Sequence, residues 1–284
     1  MKALIKSAIK GFLINFDLEL SRVSTTKDLH QTIRNLEEKT TFMDERCLFL
    51  SSLSKLSSEL LQEPHCDISE ISAESTSQIA QDLFVLSRLN YKTNGFFVEF
   101  GATDGRRLSN THLLEKRFGW KGLLAEPCRR WQKDLAKNRN CHIDSRCVWV
   151  RSGDRLQFTE ADEAELSTIA DFNDTDHHSQ TRSAGISYEV ETVSLNDLLS
   201  SANAPSQIDY LSIDTEGSEL EILRETDFNK WHFSVITCEH NYTEKRQGIF
   251  DLLTANGFVR VFESISDFDD WYVHSSLIKG QARH

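Results

Sequence analysis

From Phe96 onward, short apolar runs alternate with helix-like segments, and this alternation restricts the fold more than any other feature of the chain. The runs cover residues 96–100, 122–125, 146–150, 208–213 and 233–238, and helices are predicted to begin near Asn110, Cys128, Ser218 and Thr243. Strands that alternate with helices form βαβ units and a parallel sheet. Their crossovers are almost always right-handed. The end of the chain breaks the pattern. Residues 258–262 and 271–274 read as two strands joined by a short acidic loop, a hairpin that closes the sheet.

The first ninety residues follow a different rule. In residues 1–20, Leu4, Ile5, Ala8, Ile9, Phe12 and Leu13 recur at helical spacing with lysines between them. Such a basic amphipathic helix suits an anionic membrane surface, the catalytic domain or a partner subunit. Its lysines interrupt the apolar stretch instead of preceding it, so it does not read as a secretion signal. Residues 25–61 lack Gly and Pro and read as helix. A break at Pro64 follows, then one more helix over 77–89. The expected division is a helical extension over 1–76 and a catalytic domain over 77–284. Between Thr159 and Glu189 lies a polar, acidic segment that includes Asp171, Asp174, Asp176, His177 and His178. It has no periodicity and reads as a solvated lid or loop.

Composition removes several function classes. A net charge of -12 disfavours a nucleic-acid partner, because gripping a phosphate backbone takes Lys and Arg. The 6 cysteines form no CxxC pair, which removes the common zinc-site spacings and suggests buried free thiols in a reducing cytoplasm. No apolar run approaches the roughly 20 residues that span a bilayer. The expected location is therefore cytoplasmic, with the 1–20 helix as a peripheral contact to the inner membrane surface.

Four strand ends carry candidate chemistry. The first strand runs through Glu99 into Gly101, Ala102, Thr103, Asp104 and Gly105, a turn whose glycines permit close backbone approach. The second ends at Glu126 and Pro127, where an acidic residue commonly holds ribose hydroxyls. The dinucleotide fingerprint Gly-x-Gly-x-x-Gly is absent, so no turn cradles a pyrophosphate. That pattern favours S-adenosylmethionine over NAD or FAD. A third strand delivers Asp214 and Glu216. Two carboxylates at one strand end are costly unless they meet something polar or cationic. Alternatively, Asp214 or Ser218 caps the following helix, with Glu216 solvated. The fourth strand ends in Glu239, His240 and Asn241, which places a histidine able to accept a proton near the same cleft.

Together these residues resemble the FkbM family of SAM-dependent methyltransferases, through 98–105, Asn110 and Thr111, 124–127, 213–223 and 239–241 in that order. The resemblance implies a Rossmann-like α/β fold of the class I methyltransferase type. Its mostly parallel seven-stranded sheet has an antiparallel last strand, here with a helical N-terminal extension. It also implies O-methyl transfer to a hydroxyl of a sugar, glycan or other small acceptor. In that scheme Gly101 to Gly105 wrap the methionyl part of the cofactor, with Asn110 nearby. Glu99 orients the loop or reaches the cofactor amine through water. Glu126 holds the ribose, Cys147 and Val148 flank adenine, and Asp214 and Glu216 face the amine. His240 or Asp214 serves as base, with Glu239 orienting His240. Oxygen ligands suit magnesium, so a divalent metal on Asp214, Glu216 and Glu239 is an option. Convergence of the three is not legible in sequence, and no metal ligand is assigned. A methyltransferase acting on protein and a degenerate SAM-fold assembly subunit without turnover stay open as alternatives. Oligomeric state is also open.

Overall fold

Four of the five apolar runs become neighbouring strands of one sheet, and the fifth does not. The computed structural model describes residues 26–60, 68, 70–161, 168–169 and 185–281. Its main sheet contains β1 (Phe96–Phe100), β2 (Lys121–Ala125), β3 (His142–Asp144), β8 (Gln207–Ile213), β9 (His232–Glu239), β10 (Phe258–Val261) and β11 (Asp269–His274). The strand order is β10-β11-β9-β8-β1-β2-β3. β1 pairs in parallel with both β2 and β8, β2 with β3, and β8 with β9. Only the last strand, β11, runs antiparallel, between β9 and β10. This is the expected seven-stranded Rossmann-like sheet, closed by the expected hairpin.

Burial on both faces explains why these strands read as continuous apolar runs. β8 is buried from Ile208 to Ile213 and β9 from Phe233 to Glu239. One core cluster joins Val98, Leu123, Leu211 and Ile236 to the crossover helices through Leu198, Leu223 and Leu253. The crossovers are α3 (His112–Phe118), α4 (Gln132–Asn138), α5 (Leu195–Ser201), α6 (Glu219–Arg224) and α7 (Lys245–Ala255).

The run at 146–150 takes another place. Its strand β4 (Cys147–Trp149) joins β5 (Arg155–Glu160), β6 (Thr168–Ile169) and β7 (Ile186–Ser194) in a second sheet of order β4-β7-β5-β6. The expectation of an unstructured segment over 159–189 is therefore corrected at both ends. There β5 and β7 pair antiparallel through Thr159↔Ser187 and Glu160↔Ile186. Ile186 and Ser187 are exposed, so the start of β7 leaves no apolar signature. Asp171, Asp174, Asp176, His177 and His178 lie outside the described residues, as do residues 1–20. A separate apolar cluster of Cys128, Cys147, Phe158, Ile169 and Val190 holds this sheet together.

The chain divides into two compact units, residues 1–50 and 51–284. The first holds most of α1 (Thr26–Leu60), the long helix expected over 25–61. In the second, α2 (Gln81–Arg88) realises the later part of the helix expected over 77–89. Phe84 of α2 stacks on Trp271 of β11 at 4.6 Å between ring centroids. Among the described residues, no helix is long and apolar enough to cross a membrane.

Candidate active site

The chain leaves β1 for β2 and β3 on one side, then returns to β8 and β9 on the other. In open α/β sheets such a reversal opens a crevice beyond the carboxyl ends of the strands. A cleft with about 750 Å³ of empty space, continuous with solvent, lies there. Gly101, Thr103, Glu126, Pro127, Cys147, Val148, Asp214 and Glu216 line it, all expected from sequence. Among the described residues, Gln78, Phe100, Leu108, Ala125, Phe158, Ile169, Thr215 and Ser218 complete the lining and were not among the expected site residues. Phe158 and Ile169 come from β5 and β6, strands that no periodicity announced.

Glu126 is buried at the end of β2. One carboxylate oxygen accepts the Thr103 N–H at 2.9 Å and the other the Cys128 N–H at 2.8 Å. Each oxygen keeps a lone pair, so the side chain is oriented without being saturated. Burial pushes its pKa up to about 7, against the pull of those two N–H groups. Cys147, Val148, Phe158 and Ile169 give one wall an apolar character suited to a heterocycle. The residues thus fit the nucleoside part of S-adenosylmethionine.

The glycines act within the protein. A Cβ on Gly101, where φ is +72°, would sit 2.0 Å from the Asp214 carbonyl oxygen. Gly101 thus lets the β1 turn touch the end of β8. A Cβ on Gly105 would meet Arg139 and Leu135 at 2.6 Å. Neither Gly105 nor Ala102 nor Asp104 lines the cleft. Asp104 instead caps its own turn, accepting the N–H groups of Arg106 and Arg107. Glu99 also stands behind the cleft, accepting from Ser109, the Asn110 N–H and Thr111. It serves the loop-orienting role. Asn110 donates to Ser212 at 3.0 Å, and its Oδ1 is buried without a hydrogen-bond partner. Arg139, which sequence reasoning missed, binds Glu115, the Gly105 carbonyl, Ser109 and Thr111 from a fully buried position.

The carboxylates at the ends of β8 and β9 do converge. Asp214, Glu216 and Glu239 each bring one oxygen within 4.8 Å of the others. The helix-cap alternative does not hold: Ser218 occupies the N-cap of α6 without a side-chain cap hydrogen bond, and Glu219 accepts the Thr215 and Gly217 N–H groups and the Thr215 hydroxyl in the loop before it. Glu216 is buried instead of solvated, in the left-handed region at φ 58°. Burial raises the pKa of Asp214 and of Glu239, and the charge of Asp214 raises that of Glu239 further.

His240 takes a different part from the one its position suggested. Its Nδ1 accepts the Tyr242 N–H at 3.0 Å, so the ring proton sits on Nε2, which donates to the Asp269 carbonyl at 3.0 Å. No ring lone pair is left to take a proton from a substrate. Burial also lowers its pKa. His240 is the pin that fixes the β9 turn against β11, and Asp214 is the remaining base candidate on the cleft.

Residues 99–273 match the family model described as "Methyltransferase FkbM domain". The chain belongs to the FkbM methyltransferase family. The matched span of this FkbM methyltransferase covers β1 to β11, and so includes every strand end on the cleft. Among solved structures, the chain is similar to precorrin-6y C5,15-methyltransferase from Geobacter metallireducens GS-15. That match has 11% identity and a TM-score of 0.34, over 63% of this chain and 71% of that one. It is also similar to a putative RNA methyltransferase from Pyrococcus horikoshii. There the identity is 12% and the TM-score 0.33, over 65% of this chain and 67% of that one. No curated protein matches the chain.

Proposed function

We propose that this methyltransferase uses S-adenosylmethionine to methylate a hydroxyl oxygen of a sugar, glycan or other small acceptor. The observation that carries the reading is the meeting, on one cleft, of an oriented but unsaturated Glu126 and of Asp214, whose carboxylate lies beside that of Glu239. Glu126 is the acceptor for the ribose diol, and the wall of Cys147, Val148, Phe158 and Ile169 receives the adenine. When bound, the cofactor supplies a methyl group already activated by its sulfonium. The chain's own share is therefore to align the acceptor and to manage the proton of a neutral alcohol. Asp214, on the cleft wall and backed by Glu239, is the group for that task. An acid-lined cleft in a chain of net charge -12 suits an uncharged, hydroxyl-rich acceptor better than a polyanion. The buried free thiols of Cys128, Cys147 and Cys238 suit a reducing cytoplasm.

Titration with S-adenosylhomocysteine, with NAD as control, tests the cofactor. Binding at about 1 μM or tighter is expected, with none for NAD. Transfer of labelled methyl to a panel of sugars should give an alkali-stable ether. An alkali-labile ester on protein would replace this acceptor class. Failure of both ligands to bind would point to an assembly subunit.

A further inference from the structure

Asp214 and Glu216 extend from the end of β8, and Glu239 ends the adjacent β9. Because the two strands are neighbours, one oxygen from each side chain falls within 4.8 Å of the other two. Carboxylates so close repel one another unless a proton or a cation lies between them. A second feature marks the spot. Glu239 is only 7% exposed, and its Oε2 is fully enclosed with no hydrogen-bond partner. An enclosed oxygen of this kind is costly to leave unsatisfied. Other buried acids of the same sheet end are supplied with donors. Glu99 has Ser109, Thr111 and the Asn110 N–H; Glu219 has two N–H groups and a hydroxyl; Asp269 has the Gln81 amide. The unsatisfied Glu239 oxygen belongs to the cluster of Asp214, Glu216 and Glu239, whose oxygens converge.

We propose that Asp214, Glu216 and Glu239 form a binding site for a hard divalent cation, Mg²⁺ or Mn²⁺, at the edge of the cofactor cleft. The donor set is oxygen only, which suits these ions and not zinc or copper. Octahedral ligands about 2.1 Å from Mg²⁺ lie about 3.0 Å apart when adjacent and about 4.2 Å when opposite, so oxygens within 4.8 Å of one another close on the ion by side-chain movements of up to about 1.8 Å. Asn241 reaches Glu216 from behind at 3.5 Å and limits its swing. Three protein ligands leave coordination positions for water and for an acceptor oxygen, and Asp214 and Glu216 place them on the cleft wall. The cation neutralises the facing carboxylates of Asp214, Glu216 and Glu239. It lowers the pKa of an acceptor hydroxyl, whose proton passes to the Asp214 oxygen that the ion leaves free. This use of the ion rests on the methyl-transfer reading, whereas its binding does not.

The test uses the full chain, stripped with EDTA and dialysed. Mn²⁺ alone is titrated in and free Mn²⁺ is followed by electron paramagnetic resonance. S-adenosylhomocysteine is titrated separately with EDTA present. One saturable Mn²⁺ site, displaced by Mg²⁺ and weakened at least tenfold in both Glu239→Gln and Glu216→Gln, is the expected result. S-adenosylhomocysteine affinity should be unchanged in Glu239→Gln. Saturation that neither variant alters would put the ion elsewhere and overturn the proposal. No Mn²⁺ binding by the wild-type chain up to millimolar concentration would overturn it without any variant having to fold. In that case, intact S-adenosylhomocysteine binding would leave the methyltransferase reading standing. If Glu239→Gln weakened S-adenosylhomocysteine and no Mn²⁺ bound, the cluster would serve the cofactor's ammonium instead. Mn²⁺ binding without S-adenosylhomocysteine binding would keep the cation site and remove the cofactor assignment.

Discussion

Two groups of buried carboxylates sit toward the carboxyl ends of strands of one sheet, and they are built on opposite principles. Glu99, at the end of β1, is surrounded by hydroxyl and N–H donors and lies 3.5 Å from the guanidinium of Arg139. Arg139 is fully buried and also binds Glu115 at 2.7 Å. Around Glu239, at the end of β9, the charges that act are Asp214, Glu216, Glu219 and Asp269, all carboxylates. Breaking a buried ion pair leaves an uncompensated charge and is strongly destabilising. The first group is therefore a brace for the loop between β1 and α3. The second pays a standing electrostatic cost inside the apo fold, as sites that must bind or move a proton or cation do.

Substitutions in the two groups should separate chemistry from stability. Asp214→Asn should reduce methyl transfer by about 10²–10⁴-fold, the usual contribution of a positioned base. Its melting temperature should not fall, since a repulsive charge is removed. A variant with wild-type turnover would take Asp214 out of the reaction. Arg139→Ala should do the opposite, costing about 3–5 kcal/mol of stability in chemical denaturation. A loss below 1 kcal/mol would mean that water or a rearranged loop neutralises Glu99 and Glu115.

Glu126→Ala should weaken S-adenosylhomocysteine by at least tenfold, about 1.4 kcal/mol. Calorimetry showing equal affinity would remove Glu126 from the ribose site. His240→Asn should keep turnover within about threefold and lose about 1–3 kcal/mol of stability, because a buried backbone group loses its partner. A collapse of turnover in a variant as stable as the wild type would restore His240 as the base.

The smallest effect is on pH. Burial raises Asp269 to about 8 and Glu126 to about 7. The folded chain thus holds protons that the unfolded chain releases near pH 4, and stability falls as pH rises through this interval. Burial, helped by the charge of Arg139, lowers His112 to about 4, which opposes the trend below pH 6.5. Between pH 7 and 8 the apo protein should lose about 1 kcal/mol. Asp269→Asn should flatten that slope in thermal melts.

Legibility in the sequence followed burial. β1, β8 and β9 are enclosed on both faces and announce themselves as apolar runs. β3 is only three residues long, and β7 begins with two exposed ones, so neither has a periodicity to detect. Half of the residues on the cleft were found, because ligand-facing positions fall at strand ends and strand ends are local features. Arg139 was not found because it sits in a loop after α4, and nothing nearby in sequence tells that its partners are Glu99 and Thr111. His240 was found for its chemistry, but the use of its two nitrogens depends on Tyr242 beside it and on Asp269, which β11 brings from 29 residues away.

By itself, the sequence determined the α/β alternation, the closing hairpin and the set of acidic residues that end the strands. These depend on side-chain period and on turn residues within a few positions of one another. Only the tertiary structure decided which acids meet. Strand order departs from chain order, so β8 lies between β1 and β9, and Asp214 and Glu216 become neighbours of Glu239. The loop between β1 and α3 and the residue after α4 gave Glu99 its donors and its arginine, whereas the β8–β9 pairing set Glu239, with its enclosed and unsatisfied oxygen, beside two other carboxylates.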